Sequence, residues 1–242
     1  MPTSRSILLV HGAWHGAWCW AALQAELDRR GVPSYATDLP GHGASVQALT
    51  DLYGDADHVA AVVDHLAERD GDIVLVGHSY GGAVISQATT ATSAISDLVY
   101  LTAFCLDEGV AVLDATRSMP PVHTALGDGT MQRTADGSAW TIVADRAAAA
   151  FYGCCSAEAA AASTARLGAQ PLTTFTQPVK AAPWKTIPST YVRCLRDEAI
   201  HVSHQDLMAV RCGSIETLDT DHSPFLSAVS ETADILESLA RG

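Results

Sequence analysis

The stretch Gly77-His78-Ser79-Tyr80-Gly81 constrains this chain more than any other. An apolar run, Asp72-Ile73-Val74-Leu75-Val76, leads into it, and the small-residue run Gly82-Ala83-Val84-Ile85 follows. A strand, a sharp turn with a serine at its tip and a helix are the parts of a nucleophile elbow. Such a turn forces its serine into strained backbone, and a Cβ on either flanking glycine would meet the strand or the helix. The following helix aims its free N–H groups and the positive end of its dipole at the turn, which favours developing negative charge. As a bare pattern Gly-x-Ser-x-Gly arises by chance. The strand before it, the helix after it and the extra Gly82 set this one apart, so Ser79 is expected to be a nucleophile.

The rest of the chain repeats the same rhythm. Ile7-Leu8-Leu9-Val10 is wholly apolar, as buried parallel strands are. It runs into His11-Gly12-Ala13-Trp14-His15-Gly16-Ala17-Trp18. A His-Gly segment after an early strand is where a hydrolase of this type places one oxyanion-hole donor. The backbone N–H of Ala13 is the expected donor there, and that of Tyr80 is the other. The histidines and tryptophans of this segment read more readily as packing and loop anchors than as reacting groups. Trp20, Leu23 and Leu27 mark a helix closed by Gly31, and Ser34-Tyr35-Ala36-Thr37 is the second strand. Val59, Val62, Val63 and Leu66 mark a helix that stops at Gly71. Leu98-Val99-Tyr100-Leu101 follows the elbow helix as another strand. This alternation predicts an α/β fold, a doubly wound and mostly parallel sheet.

From 105 to 185 the rhythm breaks into Pro120-Pro121, Gly127-Asp128-Gly129, Asp136-Gly137 and an alanine-rich run around 147–165. This segment is expected to be a cap inserted over the active site, with hairpin pieces first and helices after. The core is then 1–104 and 186–242. The sheet resumes at Thr190-Tyr191-Val192-Arg193-Cys194-Leu195, just before Arg196-Asp197-Glu198. It ends at Ser214-Ile215-Glu216-Thr217-Leu218, just before Asp219-Thr220-Asp221-His222. A final helix opens at Ser223-Pro224 with the face Leu226, Val229, Ala233, Leu236 and Ala240. A carboxylate just past a strand's C-terminal end lies on the ligand-binding edge of an open α/β sheet. Ser79, Asp197 and His222 therefore form the expected triad, in the chain order this fold uses. For the base, His222 stands out among ten histidines by its place after the last strand. For the acid, Asp107 and Glu198 remain rivals of Asp197.

Composition narrows the partners. A formal net charge of −13, with no basic run, argues against nucleic acid and anionic membranes and favours neutral or weakly charged substrates. No apolar run approaches the ~18 residues of a membrane-spanning helix. Met1 to Ser6 lacks an apolar core before a small-residue cleavage site, so no signal peptide and a cytoplasmic location are expected. Six cysteines without Cys-x-x-Cys spacing read as reduced thiols. No histidine, aspartate or cysteine cluster has metal-ligand spacing, so no metal or cofactor is expected.

Together the His11–Trp18 segment, Gly77-His78-Ser79-Tyr80-Gly81-Gly82, Arg196-Asp197-Glu198-Ala199-Ile200 and Asp221-His222-Ser223-Pro224 resemble the α/β-hydrolase group of plant methyl esterases and hydroxynitrile lyases, with its bacterial carboxylesterase relatives. The resemblance covers nearly the whole chain and is weakest in the cap. It implies the α/β-hydrolase fold with an inserted cap and a cofactor-free esterase with a small apolar pocket, whose candidate walls are Gly12, Trp14, Phe104, Trp140 and Ser223, with Phe151 and Trp184 beside them. The resembling lyases carry a threonine in place of Gly12 and a lysine in place of Ser223. Both absences point to hydrolysis of a small or medium neutral ester, such as a methyl or aryl ester. A lyase-like, lactonase or cyclase reaction in the same pocket, or ligand binding without catalysis, stays open beside it. The expected partner is a small-molecule ester, with a homodimer as the one assembly kept in view.

Overall fold

The computed structural model describes residues 5–127 and 129–242. Six strands form one parallel sheet: β1 (Ile7–Val10), β2 (Ser34–Thr37), β3 (Ile73–His78), β4 (Ile95–Leu101), β8 (Ser189–Cys194) and β9 (Ser214–Leu218). The segment between β4 and β8 adds a small antiparallel sheet of β5 (Met131–Arg133), β6 (Ala139–Ile142) and β7 (Gln170–Pro171). Helices α1 (Ala21–Arg29), α2 (Leu52–Asp70) and α3 (Gly81–Ala88) belong to the first half. They are followed by α4 (Val112–Ser118), α5 (Ala144–Phe151), α6 (Ala157–Thr164) and α7 (Thr173–Thr176), then α8 (Val202–Ala209), α9 (Pro224–Ser227) and α10 (Val229–Arg241).

Each central strand is buried on both faces, and its side chains alternate between two cores. Leu8, Val10, Leu75, Leu98 and Tyr100 pack on the α2 and α3 side with Val59, Val63 and Val84. Ile7, Leu9, Val74, Val76 and Val99 pack on the α1 and α10 side with Leu23, Leu27 and Leu236. Two cores back to back explain why these strands read as unbroken apolar runs. The α2 helix begins on an Asp51 cap, whose carboxylate accepts the Gly54 N–H at 2.9 Å, and stops at Gly71, φ +78°.

The strand order 2-1-3-4-8-9 positions the site. The chain leaves β1 toward β2 on one side, then returns to build β3 on the other. Between β1 and β3 the winding reverses, so the loops after these two strands diverge and open a crevice at the strands' C-terminal ends. The loops after β4, β8 and β9 reach the same edge.

Two stretches depart from the sequence expectation. Between β4 and β8 a helix, α4, comes before the hairpin, and β7 returns to β6 only after the alanine-rich helices. Two residues of strand are too few to show a period in sequence. The alanine run itself is two helices separated by Tyr152-Gly153-Cys154-Cys155-Ser156, where the Ser156 hydroxyl caps α6 by accepting the Ala159 N–H at 3.2 Å. The terminal helix is likewise broken at Ala228 (φ −142°, ψ 53°). The Thr232 hydroxyl lies 2.7 Å from the Ala228 carbonyl and 3.2 Å from that of Pro224, offering a donor to the carbonyls freed at the break.

Candidate active site

Among the described residues, three non-glycine residues have left-handed backbone, and each follows a sheet strand: Trp14 (φ 65°) after β1, Ser79 (φ 54°) after β3 and Thr102 (φ 39°) after β4. Such conformations cost on the order of 1–3 kcal/mol each and persist only where their surroundings enforce them. At Ser79 the enforcement is visible. Its carbonyl accepts the N–H of Gly82 at 3.1 Å and of Phe104 at 3.0 Å, which turns the chain from strand into helix within two residues. A Cβ at Gly77 would lie 2.5 Å from the Gly81 carbonyl oxygen, and one at Gly81 would lie 2.7 Å from that of Val10. No side chain fits at either position, which is the physical content of the Gly-x-Ser-x-Gly spacing.

The structure brings His222 and Asp197 together. His222 Nδ1 is 2.7 Å from Asp197 Oδ2, and both side chains are almost wholly buried. An ionised carboxylate only accepts, so Nδ1 carries the proton and Nε2 keeps its lone pair. The Asp197 carboxylate is fully engaged. Its Oδ1 accepts the N–H of Ala199 (2.7 Å) and Ile200 (2.8 Å), while Oδ2 also accepts Gln205 Nε2 (3.2 Å) and the Thr102 hydroxyl. Asp107 is elsewhere, half exposed and paired with Lys185 (3.0 Å) and Arg211 (3.4 Å). Glu198 Oε2 accepts the Ala125 N–H at 3.3 Å. Neither Thr102 nor Gln205 stands out in the sequence, because each acts only through Asp197.

The loop after β1 is held by side chains on its carbonyls. His11 Nδ1 lies 2.8 Å from the Gly12 carbonyl oxygen and His15 Nδ1 lies 2.8 Å from that of Ala13, while Gly168 N donates to the Trp14 carbonyl at 2.8 Å. Gln170 Oε1 accepts the Trp14 N–H at 3.2 Å, and Trp14 Nε1 donates to the Trp140 carbonyl at 3.0 Å. Among the described residues, neither Ala13 nor Tyr80 spends its backbone N–H on an intramolecular acceptor. Tyr80 instead anchors through its hydroxyl, which donates to the buried Asp55 at 2.8 Å. Burial raises the Asp55 carboxyl above its usual range.

Three other histidines at this edge, His11, His15 and His78, are buried and bonded to backbone carbonyls. His78 points away from Ser79 into the core, with Nε2 donating to the His222 carbonyl at 2.7 Å and the two rings 4.5 Å apart. Among the described residues no group of three His, Cys, Asp or Glu side chains is placed to hold a metal ion. Burial, the largest cause in each case, holds His11 and His78 well below 6.5 and lowers His15 to about 4. The sign follows directly. Unfolding exposes these imidazoles to water, where they bind protons near 6.5, so the unfolded state takes up more protons and stability falls as pH drops from about 6.5 toward 4. Thermal melts should therefore show Tm nearly level above pH 7 and falling steeply below about 6.5. A Tm unchanged down to pH 4.5 would contradict this account of the three rings.

A cavity of about 340 Å³ adjoins Ser79, at the small end of the ~300–1,000 Å³ typical of ligand pockets. Ala13, Trp14, Tyr80, Phe104 and Trp140 line it beside Ser79. Gly12 and Ser223 do not. A Cβ on Gly12 would sit 2.8 Å from Ser79 Cβ and 2.9 Å from His78 Nδ1, so the residue is a close approach of backbone and not a wall. Ser223 is fully buried, with its hydroxyl unpaired. Phe151 is buried against His222 and His15, and Trp184 donates to the Leu106 carbonyl at 2.9 Å, so neither is part of the lining. Aspartate 221 pins the β9 loop from the far side, accepting the Cys154 N–H at 2.6 Å and that of Ser223 at 3.0 Å.

A parallel sheet, a strained serine after its third strand and a histidine–carboxylate pair on the same edge match one family. Residues 7–235 fit the family model described as "Alpha/beta hydrolase family". The chain belongs to the alpha/beta hydrolase family. Over 234 residues it is 27% identical to the alpha/beta hydrolase nvfD of Aspergillus novofumigatus, covering 92% of this chain and 91% of that one. It is 32% identical to Methylesterase 7 of Arabidopsis thaliana over 107 residues, 43% of this chain and 41% of the plant protein. Among solved structures, a pyrethroid hydrolase superposes with a TM-score of 0.82 at 25% identity over 98% of each chain. This alpha/beta hydrolase thus has esterases among its relatives, though it spans less than half the length of the plant methylesterase it matches. No helix among its described residues is long and apolar enough to cross a membrane.

Proposed function

We propose that this alpha/beta hydrolase cleaves a small or medium carboxylic ester through Ser79, His222 and Asp197. The observation that carries the reading is the buried His222–Asp197 pair at 2.7 Å on the sheet edge that also holds Ser79 in left-handed backbone. The serine hydroxyl attacks the ester carbonyl as His222 Nε2 takes its proton, and Asp197 holds the imidazole in that tautomer and stabilises the imidazolium. The carbonyl oxygen becomes an oxyanion, received by the N–H groups of Ala13 and Tyr80. Collapse expels the alcohol, protonated by the imidazolium, and leaves an acyl group on Ser79. A water, deprotonated by His222, attacks the acyl carbon; the acid leaves and Ser79 regains its proton. No cofactor enters these steps. The segment 105–185 acts as a cap, supplying cavity residues such as Trp140 from above the sheet edge.

Hydrolysis is favoured over cyanohydrin cleavage by what surrounds the serine. Expelling cyanide calls for a cation beside the histidine and a hydroxyl on the substrate oxygen. Gly12 has no space for a side chain, and Ser223 is buried and uncharged. The esterase relatives point the same way. The test is a panel of 4-nitrophenyl and methyl esters of increasing acyl size, run beside mandelonitrile. Turnover of the esters with little release of cyanide is expected. Cyanide release at a rate comparable to hydrolysis of an aryl acetate would contradict the reading.

A further inference from the structure

The cavity beside Ser79 has a charge that the composition does not announce. The chain carries 27 Asp and Glu against 14 Lys and Arg, yet among the described residues the cavity lining holds two arginines, Arg117 and Arg133, and no carboxylate. Both come from the segment over the sheet edge. On α4, Val112, Leu113, Thr116 and Arg117 share the cavity-facing side, at the spacing of one helical face. On β5, Met131 and Arg133 line the cavity together, two residues apart on one face of a strand. Both arginines are exposed, whereas Ala13 and Tyr80 are buried, so the cations sit at the mouth and the proposed oxyanion donors at the floor. Phe104, Leu126 and Trp140 add apolar wall to the same cavity.

Neither guanidinium is paired with a carboxylate among the described residues. Eight other arginines, among them Arg5, Arg30, Arg69 and Arg196, hold a carboxylate within 4.0 Å. Arg133 stacks over Trp140, with its guanidinium carbon 5.1 Å from the ring centroid, and gives one long hydrogen bond (3.5 Å) to the Gly137 carbonyl. That contact sets the guanidinium beside the cavity wall, and the single long hydrogen bond leaves most of its N–H groups available. In a chain of net charge −13, two cations without a carboxylate partner among the described residues, both on one cavity lining, favour a negatively charged ligand there. A planar guanidinium matches a carboxylate through two parallel hydrogen bonds.

We infer that the cavity takes an ester bearing a second, free carboxylate, with the ester carbonyl at Ser79 and the carboxylate at Arg117 and Arg133. The class comprises half-esters of dicarboxylic acids and aryl esters with a carboxylate substituent. This inference rests on the hydrolytic reading of Ser79 and replaces the neutral substrate suggested by net charge. Both local cations are solvent-facing, so their contribution is modest and sensitive to salt.

The experiment compares matched pairs: 4-nitrophenyl glutarate monoester with 4-nitrophenyl valerate, and 4-acetoxyphenylacetate with its amide. In at least one pair the acid should be favoured by about tenfold in kcat/KM at low ionic strength, shrinking toward parity at about 1 M salt. In the paired variant R117Q/R133Q the acid-to-neutral ratio should fall to near one, and in R117K/R133K a salt-sensitive preference should survive. A preference for the neutral ester in both pairs, or a ratio unchanged in R117Q/R133Q, would overturn the inference. Calorimetric titration with glutarate and 4-hydroxyphenylacetate separates it from the hydrolytic reading. Binding that R117Q/R133Q abolishes, in a protein that turns over no ester, would sink the hydrolase reading and keep the anion site. Ester turnover without a carboxylate preference or arginine-dependent binding would sink the anion site alone.

Discussion

Replacing Ser79 by alanine is expected to lower kcat on an activated ester by about 10⁶-fold, to a residue of catalysis left by the oxyanion donors and binding. The size of the effect follows from what the hydroxyl does. In the proposed mechanism it forms the covalent bond, so its loss would remove the two-step route altogether and strand His222 with no proton to accept. Fold should survive the change, because the backbone of Ser79 is held by its carbonyl bonds to Gly82 and Phe104 and by the packing of Gly77 and Gly81, none of which uses the hydroxyl. Circular dichroism and Tm of Ser79→Ala should therefore match wild type. Retention of more than about a hundredth of the wild-type kcat would mean that another group carries the reaction.

Asp197→Asn should cost on the order of 10⁴ in kcat. An asparagine amide in this position presents N–H groups to His222 Nδ1, to the Thr102 hydroxyl and to Gln205 Nε2, all of which donate to Asp197 in the native protein. The ring is then driven to carry its proton on Nε2, where the lone pair is needed. The same substitution at Asp107, which faces Lys185 and Arg211, should leave kcat within about twofold. Steady-state kinetics of the two variants on one aryl ester decides the matter. A crippled Asp107→Asn beside a near-normal Asp197→Asn would reassign the acid.

The parts of this fold that were legible in the sequence are those where one residue answers to one local rule. The central strands must be apolar on both faces, so Ile7–Val10 and Val74–Val76 announce themselves. Gly77 and Gly81 are forced by backbone approaching backbone, and that leaves a fixed spacing. His222 and Asp197 follow from strand order, since both lie just past strand ends. What stayed hidden depends on contacts between distant stretches. Thr102 and Gln205 matter only because both reach Asp197. The β7 strand exists only because Gln170 pairs with Trp140. Gly12 looks like a pocket residue until the position of Ser79 Cβ is known. Net charge says least about the cavity: it averages over the surface, whereas the described lining holds two arginines whose sign is opposite to the sum.

The central claim is that Ser79 is a nucleophile activated where it stands, and a fluorophosphonate probe tests it on the unaltered protein. The probe's phosphorus accepts the serine oxygen and loses fluoride, leaving a stable adduct whose peptide mass reports its position. A single adduct on the peptide containing Ser79, formed in native protein and absent after denaturation or in Ser79→Ala, is the expected result. No adduct in folded protein, or one that persists in Ser79→Ala, would contradict it.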